Sequence, residues 1–335
     1  MRATGKRTTV SLPAGSCARS FLCFILPFLW FSGCSIQKAA YNAVSDALAP
    51  EYGTVHRDEP DPMTALTGEN DPELVAAFFP AALKIYEMML IQNPQHRELG
   101  IMTGQLCVMY ANAFIQTPAE RLSSDRFDEQ NRQYLRALNL YRRGFEYSLS
   151  GLEIRKPGIS RAVHEGNLEF LEKALEKFKI TDVPGLYWTG AGLLAAFSLD
   201  PLNSYYSPRV PAAVALLERA AGIHPEFNNG AIFEVLLAFY AAAPESLGGG
   251  MDKALEARDR ALEISGGSSP SLFIACARSI AVPTQDSGMF TENIDKALAI
   301  DPDSQPENRL ALLLAREQAL WLKEHKSEFI LFPED

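Results

Sequence analysis

From residue 35 onward the sequence has no long alternation of apolar and polar residues, the pattern that a half-buried β-strand requires. Helical apolar spacing recurs instead and is interrupted by Pro, Gly and Asp. The stretch GENDPELVAAFFPAALKIYEMMLIQNP shows this best. Asp71 suits an N-cap, Pro72 suits the first helical position, and Asn93 and Pro94 end the pattern. The sequence therefore predicts an all-α fold.

Within this predicted helix, apolar residues recur at spacings of three to five. They are Leu74, Phe78, Leu83, Tyr86 and Leu90. We interpret them as one apolar stripe that packs against the rest of the domain. Residues 51–70, which contain several acidic residues and prolines, are interpreted as a linker or surface loop.

Five segments share, in whole or in part, a small residue, a bulky residue, an Ala-Leu-like pair and a Pro or Gly breaker. They are Ala82–Pro94, Leu171–Leu175, Ala213–Pro225, Ala254–Gly266 and Ile294–Pro302. The pattern is typical of the second helix of a tetratricopeptide repeat (TPR), and the spacing exceeds the ideal period of about 34 residues. It predicts a TPR-like helical-repeat superhelix with divergent repeats over residues 71–330. A non-repetitive helical domain is the alternative.

The first 33 residues differ in character from the rest. A basic segment precedes the apolar run Phe21–Phe31, which is shorter than the roughly 20 residues that a transmembrane helix needs. The run ends in Phe31-Ser32-Gly33-Cys34, which resembles a bacterial lipobox with Phe in place of the usual Leu.

We therefore predict that residues 1–33 are a lipoprotein signal peptide and that Cys34 is lipidated. Residues 34–70 would then be a tether and linker at the membrane. By analogy with enteric sorting rules, Ser35 favours the outer membrane over the inner one, with the chain facing the periplasm. The alternative is cleavage elsewhere, with Cys34 incidental.

The net charge of the chain is −10, and the leader contributes four basic residues and no acidic ones. The remainder is therefore more acidic than the whole chain. An acidic body argues against binding to nucleic acid and against a basic membrane-binding face.

Motifs of catalytic and metal sites are missing from the sequence. The five histidines are isolated, and neither a zinc-binding His pair nor a Gly-x-Ser-x-Gly motif occurs. We predict no catalytic residue, no metal and no cofactor. Cys107 and Cys276 lie in apolar helical stretches and are interpreted as buried small hydrophobes, with a disulfide between them left open.

Four stretches carry a resemblance to a known family. In order they are LYRRGFEYSLSGL, GLYWTGAGLLAAFSLD, PESLGGGMDKALEARDRALEISGG and FTENIDKALAIDPD with the later NRLALLLAREQALWLKEHKSEFI. Together, over roughly residues 70–330, they resemble the TatT family of lipoproteins, which are associated with tripartite ATP-independent periplasmic (TRAP) transporters.

The resemblance implies a non-enzymatic, periplasm-facing scaffold built from cryptic TPR units. It also implies binding to the transporter's substrate-binding protein, passage of a small organic or hydrophobic ligand along a groove or pore, and scope for homo-oligomers.

Distinctive residues within these stretches allow several interpretations. Tyr187, Trp188 and Gly190 suit core packing, the lining of a groove or pore, or contact with a partner. Tyr205 and Tyr206 suit interface anchors in a loop, or an aromatic edge that covers the core. Gly248–Gly250 predicts a sharp turn rather than a phosphate cradle, because no strand precedes it and no P-loop lysine follows.

Two other functions share some of these features. A TPR-like scaffold lipoprotein for envelope assembly would share the anchor and the repeats, although the Tyr-Trp-Thr-Gly-Ala block favours transport. A helical enzyme acting on cell-wall glycan would need an appended catalytic domain with an acidic residue in a cleft, and we do not expect such a domain after Asp301.

Overall fold

The computed structural model describes Gly5, residues 40–53 and residues 63–331, and in these residues it contains helices and no strand. The predicted all-α fold is therefore confirmed. Contacts divide the chain into two units, residues 1–44 and residues 45–335. In the first unit, residues 40–44 are helical. The second unit begins with helical residues 45–48.

The α-helices that follow in the second unit are named in chain order. They are α1 (Thr64–Thr67), α2 (Pro72–Gln92), α3 (Arg97–Ala111), α4 (Thr117–Glu120), α5 (Phe127–Arg155), α6 (Ile159–Glu165), α7 (Leu168–Leu175), α8 (Val183–Leu199), α9 (Val210–Ile223), α10 (Ala231–Ala242), α11 (Met251–Ser265), α12 (Pro270–Cys276), α13 (Val282–Thr284), α14 (Ser287–Ala299) and α15 (Arg309–Glu324).

Shorter helical turns connect several of these helices. The π-turns are Asn112–Gln116, between α3 and α4, and Ala277–Ala281, between α12 and α13. The 3-10 turns are Ser124–Arg126, Ile180–Asp182, Ser207–Arg209, Phe227–Gly230, Glu245–Leu247, Pro302–Ser304, Pro306–Asn308 and Lys326–Glu328.

Helix α2 begins and ends where the sequence predicts. The Asp71 carboxylate accepts hydrogen bonds from the backbone N–H groups of Glu73 and Leu74, as an N-cap residue does. Asn93 follows the last helical residue, and its N–H donates to the carbonyl oxygen of Met89. The local polar residues therefore determine both ends of this helix.

The predicted apolar stripe of α2 is wrong in part. Leu83 and Tyr86 are buried as predicted, but Leu74 and Phe78 are at least half exposed. The buried side chains at that end of the helix come from other positions, among them Phe79. Apolar residues cover two faces of α2, so their period alone does not show which face packs inward.

Consecutive helices pack as hairpins in the second half of the chain. Helix α8 packs against α9, α10 against α11, and α12 against α14. Small residues at the predicted repeat positions are buried, namely Ala213, Ala220, Ala254, Ala261 and Ala297. Small side chains at a contact allow two helices to approach closely. The superhelical arrangement of these hairpins as TPR-like repeats stays a prediction.

Helices α3, α5 and α8 form the middle of the core. A Cβ atom placed on Gly104 of α3 would lie 2.5 Å from the carbonyl oxygen of Gly144 of α5. On α8, a Cβ atom on Gly192 would lie 3.2 Å from the backbone nitrogen of Phe145. The three backbones therefore approach one another more closely than larger residues would permit.

Residues 45–53 pack against α2 and α3. The Tyr86 hydroxyl donates to the carbonyl oxygen of Leu48 over 2.8 Å, and His96 Nε2 lies 2.9 Å from Asp46 Oδ1. The predicted linker thus includes a stretch that contacts the helical body. The predicted domain boundaries after residues 33 and 70 stay predictions.

Candidate functional site

The predicted site residues fall into three places. Cys34, the predicted lipidation site, lies outside the described residues. Tyr187, Trp188 and Gly190 lie on α8, and Tyr205 and Tyr206 lie in the connection between α8 and α9.

Helix α8 buries the first aromatic pair. The side chains of Tyr187 and Trp188 are only 7% and 9% exposed. Their rings meet edge to face with centroids 4.7 Å apart, and the Tyr187 ring also contacts Phe227, at 5.2 Å between centroids. This burial supports the core-packing interpretation, and the lining of a groove or pore by these rings stays a prediction.

Gly190 serves close packing between α8 and α9. A Cβ atom at this position would lie 2.7 Å from Cγ of Leu217 and 2.9 Å from the carbonyl oxygen of Ala213. The contact needs glycine because any side chain would push the helices apart. The role of Gly190 is therefore to allow α8 to pack closely against α9.

Glu234 forms a polar cluster beside Tyr187 that the sequence interpretation missed. It is an acidic residue in the otherwise apolar helix α10, and its carboxylate accepts hydrogen bonds from Ser269 Oγ at 2.5 Å and Ser271 Oγ at 2.7 Å. Burial raises the pKa of the Glu234 carboxyl, and the two serine hydroxyls oppose that shift. Burial also raises the pKa of Tyr187, and the charge of Glu234 raises it further.

A strained turn borders this cluster. Asn228 and Asn229 adopt left-handed backbone conformations with φ of 47° and 58°, directly before Gly230 at φ 89°. Asn229 Nδ2 donates to Ser268 Oγ over 3.2 Å. Consecutive left-handed residues other than glycine are unfavourable and concentrate at functional sites.

Aromatic contacts continue from Tyr187 through Phe227 to the N-terminal segment. The Tyr52 ring meets Phe227 edge to face at 5.5 Å between centroids, and the Tyr52 hydroxyl lies 3.2 Å from His224 Nε2. Tyr52 thereby connects residues 45–53 with the turn before α10.

The second aromatic pair belongs to a charged surface cluster. Tyr206 is buried, whereas the half-buried Tyr205 lies between two guanidinium groups. The carbon at the centre of the Arg142 guanidinium lies 4.6 Å from the Tyr205 ring centroid, and that of Arg209 lies 4.3 Å away. Cation–π contacts of this kind fix the ring and both arginines together.

Hydrogen bonds complete the cluster around Tyr205. The Tyr205 hydroxyl donates to Glu146 Oε1, and Arg209 Nε donates to His164 Nδ1 at 3.2 Å. His164 Nε2 in turn lies 3.4 Å from Glu146 Oε2. Burial and the Glu146 carboxylate raise the pKa of Tyr205 to about 12, so the hydroxyl stays protonated near neutral pH.

Leu202 lies three residues before Tyr205 and is 94% exposed. Tyrosine and arginine are enriched at protein interfaces, and this exposed leucine adds apolar surface to the same connection between α8 and α9. The described residues contain no group of three or more His, Cys, Asp or Glu side chains that could hold a metal ion.

The model of the TRAP transporter T-component family matches residues 68–330, which is most of the chain. The chain belongs to this family. This is the TatT family that the sequence resembles, so the resemblance is confirmed. Membership assigns the chain an accessory role in TRAP transport in the cell envelope.

A relative is similar to this chain over nearly its whole length. An uncharacterized protein of Treponema pallidum (strain Nichols) is 44% identical over 303 residues. The match covers 90% of this chain and 94% of the relative. Members of the T-component family are transport accessories rather than a known class of enzyme.

Proposed function

We propose that this T-component is a lipid-anchored accessory protein that docks the substrate-binding protein of a TRAP system. In this proposal, lipidated Cys34 holds the chain at a membrane facing the periplasm, with the outer membrane favoured. The chain would also receive the small organic or hydrophobic ligand that the binding protein carries. Membership in the T-component family supports the transport role.

The observation that carries the docking proposal is the Tyr205 surface, formed by Leu202, Tyr205, Arg142 and Arg209. Tyrosine and arginine are enriched at the centres of protein interfaces, where a few residues supply most of the binding energy. The two arginines and Glu146 already hold Tyr205 in place. Binding would therefore cost less side-chain entropy than it would at a disordered loop.

The charge of Arg142 favours a partner that carries an acidic side chain at the contact. Arg142 is exposed and forms no ion pair with any described residue, whereas Glu146 and His164 accept hydrogen bonds within the cluster. An acidic side chain on the substrate-binding protein would fit beside Arg142. Complementary charge of this kind raises the rate of association and selects the partner.

The proposal is tested by measuring the Kd between the full-length chain and the TRAP substrate-binding protein encoded beside it. We expect Leu202→Glu and Arg142→Glu each to weaken binding at least about tenfold, or about 1.4 kcal/mol. Leu331→Glu is the matched control, since Leu331 is also a highly exposed leucine, at 81%. Circular dichroism verifies that each variant is folded.

Two results would overturn the proposal. Wild-type chain that does not bind the substrate-binding protein would remove the docking function. Equal affinity of the wild type, both Tyr205-surface variants and the control would show that docking uses another surface.

A further inference from the structure

Helix α2 has an apolar face that no described residue covers. This outer face of α2 consists of Leu74, Phe78, Ile85, Met88 and Ile91, which are between 50% and 75% exposed. Spacings of three, four and seven residues bring such side chains to one side of a helix. Exposed leucines occur singly on most proteins, but a contiguous row of large apolar side chains indicates an interaction surface.

The opposite face of α2 is anchored in the core. Phe79 is buried and stacks on Tyr110 of α3 with ring centroids 5.4 Å apart. The buried Tyr86 side chain donates its hydroxyl proton to the carbonyl oxygen of Leu48. The helix is long and apolar enough to cross a bilayer, and 28% of its most apolar window is buried. If α2 crossed a bilayer, its buried inner face would have to leave the core. The helix is therefore better suited to lie on a membrane with its outer face in contact with lipid.

The chain that precedes the helical body bears on what covers this face. Ser45 Oγ accepts a hydrogen bond from Nδ2 of Asn93, the residue that follows the last turn of α2. In sequence, Cys34 precedes Ser45 by eleven residues. Eleven residues span at most about 40 Å when fully extended, and α2 itself is about 32 Å long. A lipid on Cys34 would thus keep α2 within reach of the bilayer surface.

The charges near the outer face of α2 favour contact with neutral rather than anionic lipids. Lys84, at the edge of this face, is well exposed and pairs with Glu87 Oε2 at 2.7 Å. A lysine at the margin of an apolar stripe can place its stem among lipid chains and its ammonium group among headgroups. The acidic chain as a whole disfavours anionic lipid.

We propose that the outer face of α2 lies in the boundary between headgroups and acyl chains of a membrane with predominantly neutral lipids. The placement rests on the proposed lipidation of Cys34, which brings the chain to the membrane. The contact would fix the orientation of the helical body on the surface, which a lipid tether alone does not do. Burial of large apolar side chains at this depth is the driving force.

The test uses full-length protein isolated from the cell envelope and reconstituted at low density in vesicles of phosphatidylethanolamine and phosphatidylcholine. A polarity-sensitive fluorophore is attached to Ile85→Cys or, as a control, to Leu320→Cys, an exposed position of α15. Native Cys107 and Cys276 are buried, and labelling of the protein without an added cysteine measures their contribution. Nitroxides placed near the headgroup end of the lipid chains serve as quenchers.

We expect the fluorophore at residue 85 to emit at shorter wavelength and to be quenched at least about threefold more than that at residue 320. Equal quenching at the two positions overturns the proposal. A probe at residue 85 that is shielded from water, unquenched by lipid nitroxide and sensitive to protein density also overturns it, because a second copy then covers the face.

Mass spectrometry of the same preparation keeps this proposal separate from the proposed anchoring. Acyl chains on Cys34 with equal quenching would refute the contact of α2 and leave the anchor standing. Selective quenching at residue 85 without acylation would support the contact of α2 and refute the anchor.

Discussion

Cys107 and Cys276 are free thiols buried in α3 and α12. Burial raises the pKa of Cys107 to about 12 and the pKa of Cys276 to about 11. A thiol that stays protonated at neutral pH is a poor nucleophile and a poor metal ligand. The interpretation of both residues as small buried hydrophobes is therefore confirmed.

The raised thiol pKa predicts a loss of stability in alkali. Well below pH 9.0, the ordinary pKa of the thiol, both the folded and the unfolded Cys107 carry a proton, and ionisation of the thiol does not change the stability. Above that pH the unfolded thiol ionises while the folded one does not, so the unfolded state binds fewer protons and stability falls as pH rises. At pH 10.5 the loss due to Cys107 is about 2 kcal/mol.

Urea unfolding of wild type and Cys107→Ala at pH 8 and pH 10.5 measures this loss. The variant should be less stable than wild type at pH 8 because a buried sulfur is missing, and it should lose about 2 kcal/mol less between the two pH values. An identical loss in both proteins would contradict the assignment to Cys107.

At the residue scale, the sequence points to the aromatic residues of the candidate site but not to their polar partners. The sequence context of Tyr205 indicates an interface residue, but the hydrogen-bond partner of Tyr205, Glu146, lies 59 residues away. Glu234 is joined to Ser269 across 35 residues. Neither acid has a local motif, because helix packing brings the partners together. The one local signal for Glu234 is that it interrupts an apolar helix.

At the element scale, the crossing of α3 and α5 depends on Gly104. A Cβ atom there would lie 2.0 Å from Ser148 Oγ and 2.5 Å from the Gly144 carbonyl oxygen. The backbone oxygen cannot rotate away as a side chain can, so the helices would have to separate. We expect Gly104→Ala to lower the free energy of unfolding by about 3 kcal/mol or more.

Urea denaturation tests this expectation against Gly222→Ala. Gly222 also lies in a helix, but a Cβ atom there meets no atom within 4 Å. We expect that control to be neutral or to gain up to about 1 kcal/mol from the better helix propensity of alanine. Equal stability of Gly104→Ala and wild type would show that the crossing has room for a methyl group.

The ends of helices were more predictable than their interruptions. Asp71 and Asn93 act locally, so the bounds of α2 follow from the sequence. The π-turns before Pro118 and Pro283 were not predicted. A proline inside a helix clashes with the carbonyl four residues earlier, and a widened turn relieves that clash. A proline alone does not show whether a helix stops, bends or widens.

At the scale of the whole molecule, the described part of the second unit contains two clusters of buried apolar residues. The larger cluster includes Trp188, and the smaller one lies in the C-terminal helices, where Trp321 packs against it. Helix α15 contributes Leu310 to the larger cluster and Leu322 to the smaller one. The same helix contacts α1 and α2 near the beginning of this unit. Leu310 is therefore one link between the C-terminal helices and the rest of the core, beside α12, which contributes Leu272 and Cys276 to the larger cluster and Phe273 and Ile274 to the smaller one.

This coupling predicts one unfolding transition that Leu310→Ala should divide in two. Tryptophan fluorescence follows each cluster separately in chains that carry Trp30→Phe with either Trp321→Phe or Trp188→Phe. With Leu310 present, both probes should give the same urea midpoint. The Leu310→Ala variant should lose about 2–5 kcal/mol of unfolding free energy, and Trp321 should report unfolding at lower urea than Trp188.

The control is Leu320→Ala, at an exposed position of the same helix, which should leave the two midpoints together. Midpoints that already differ in the parent chains would show that the two clusters are not coupled. Midpoints that move together in Leu310→Ala would show that other contacts join the clusters.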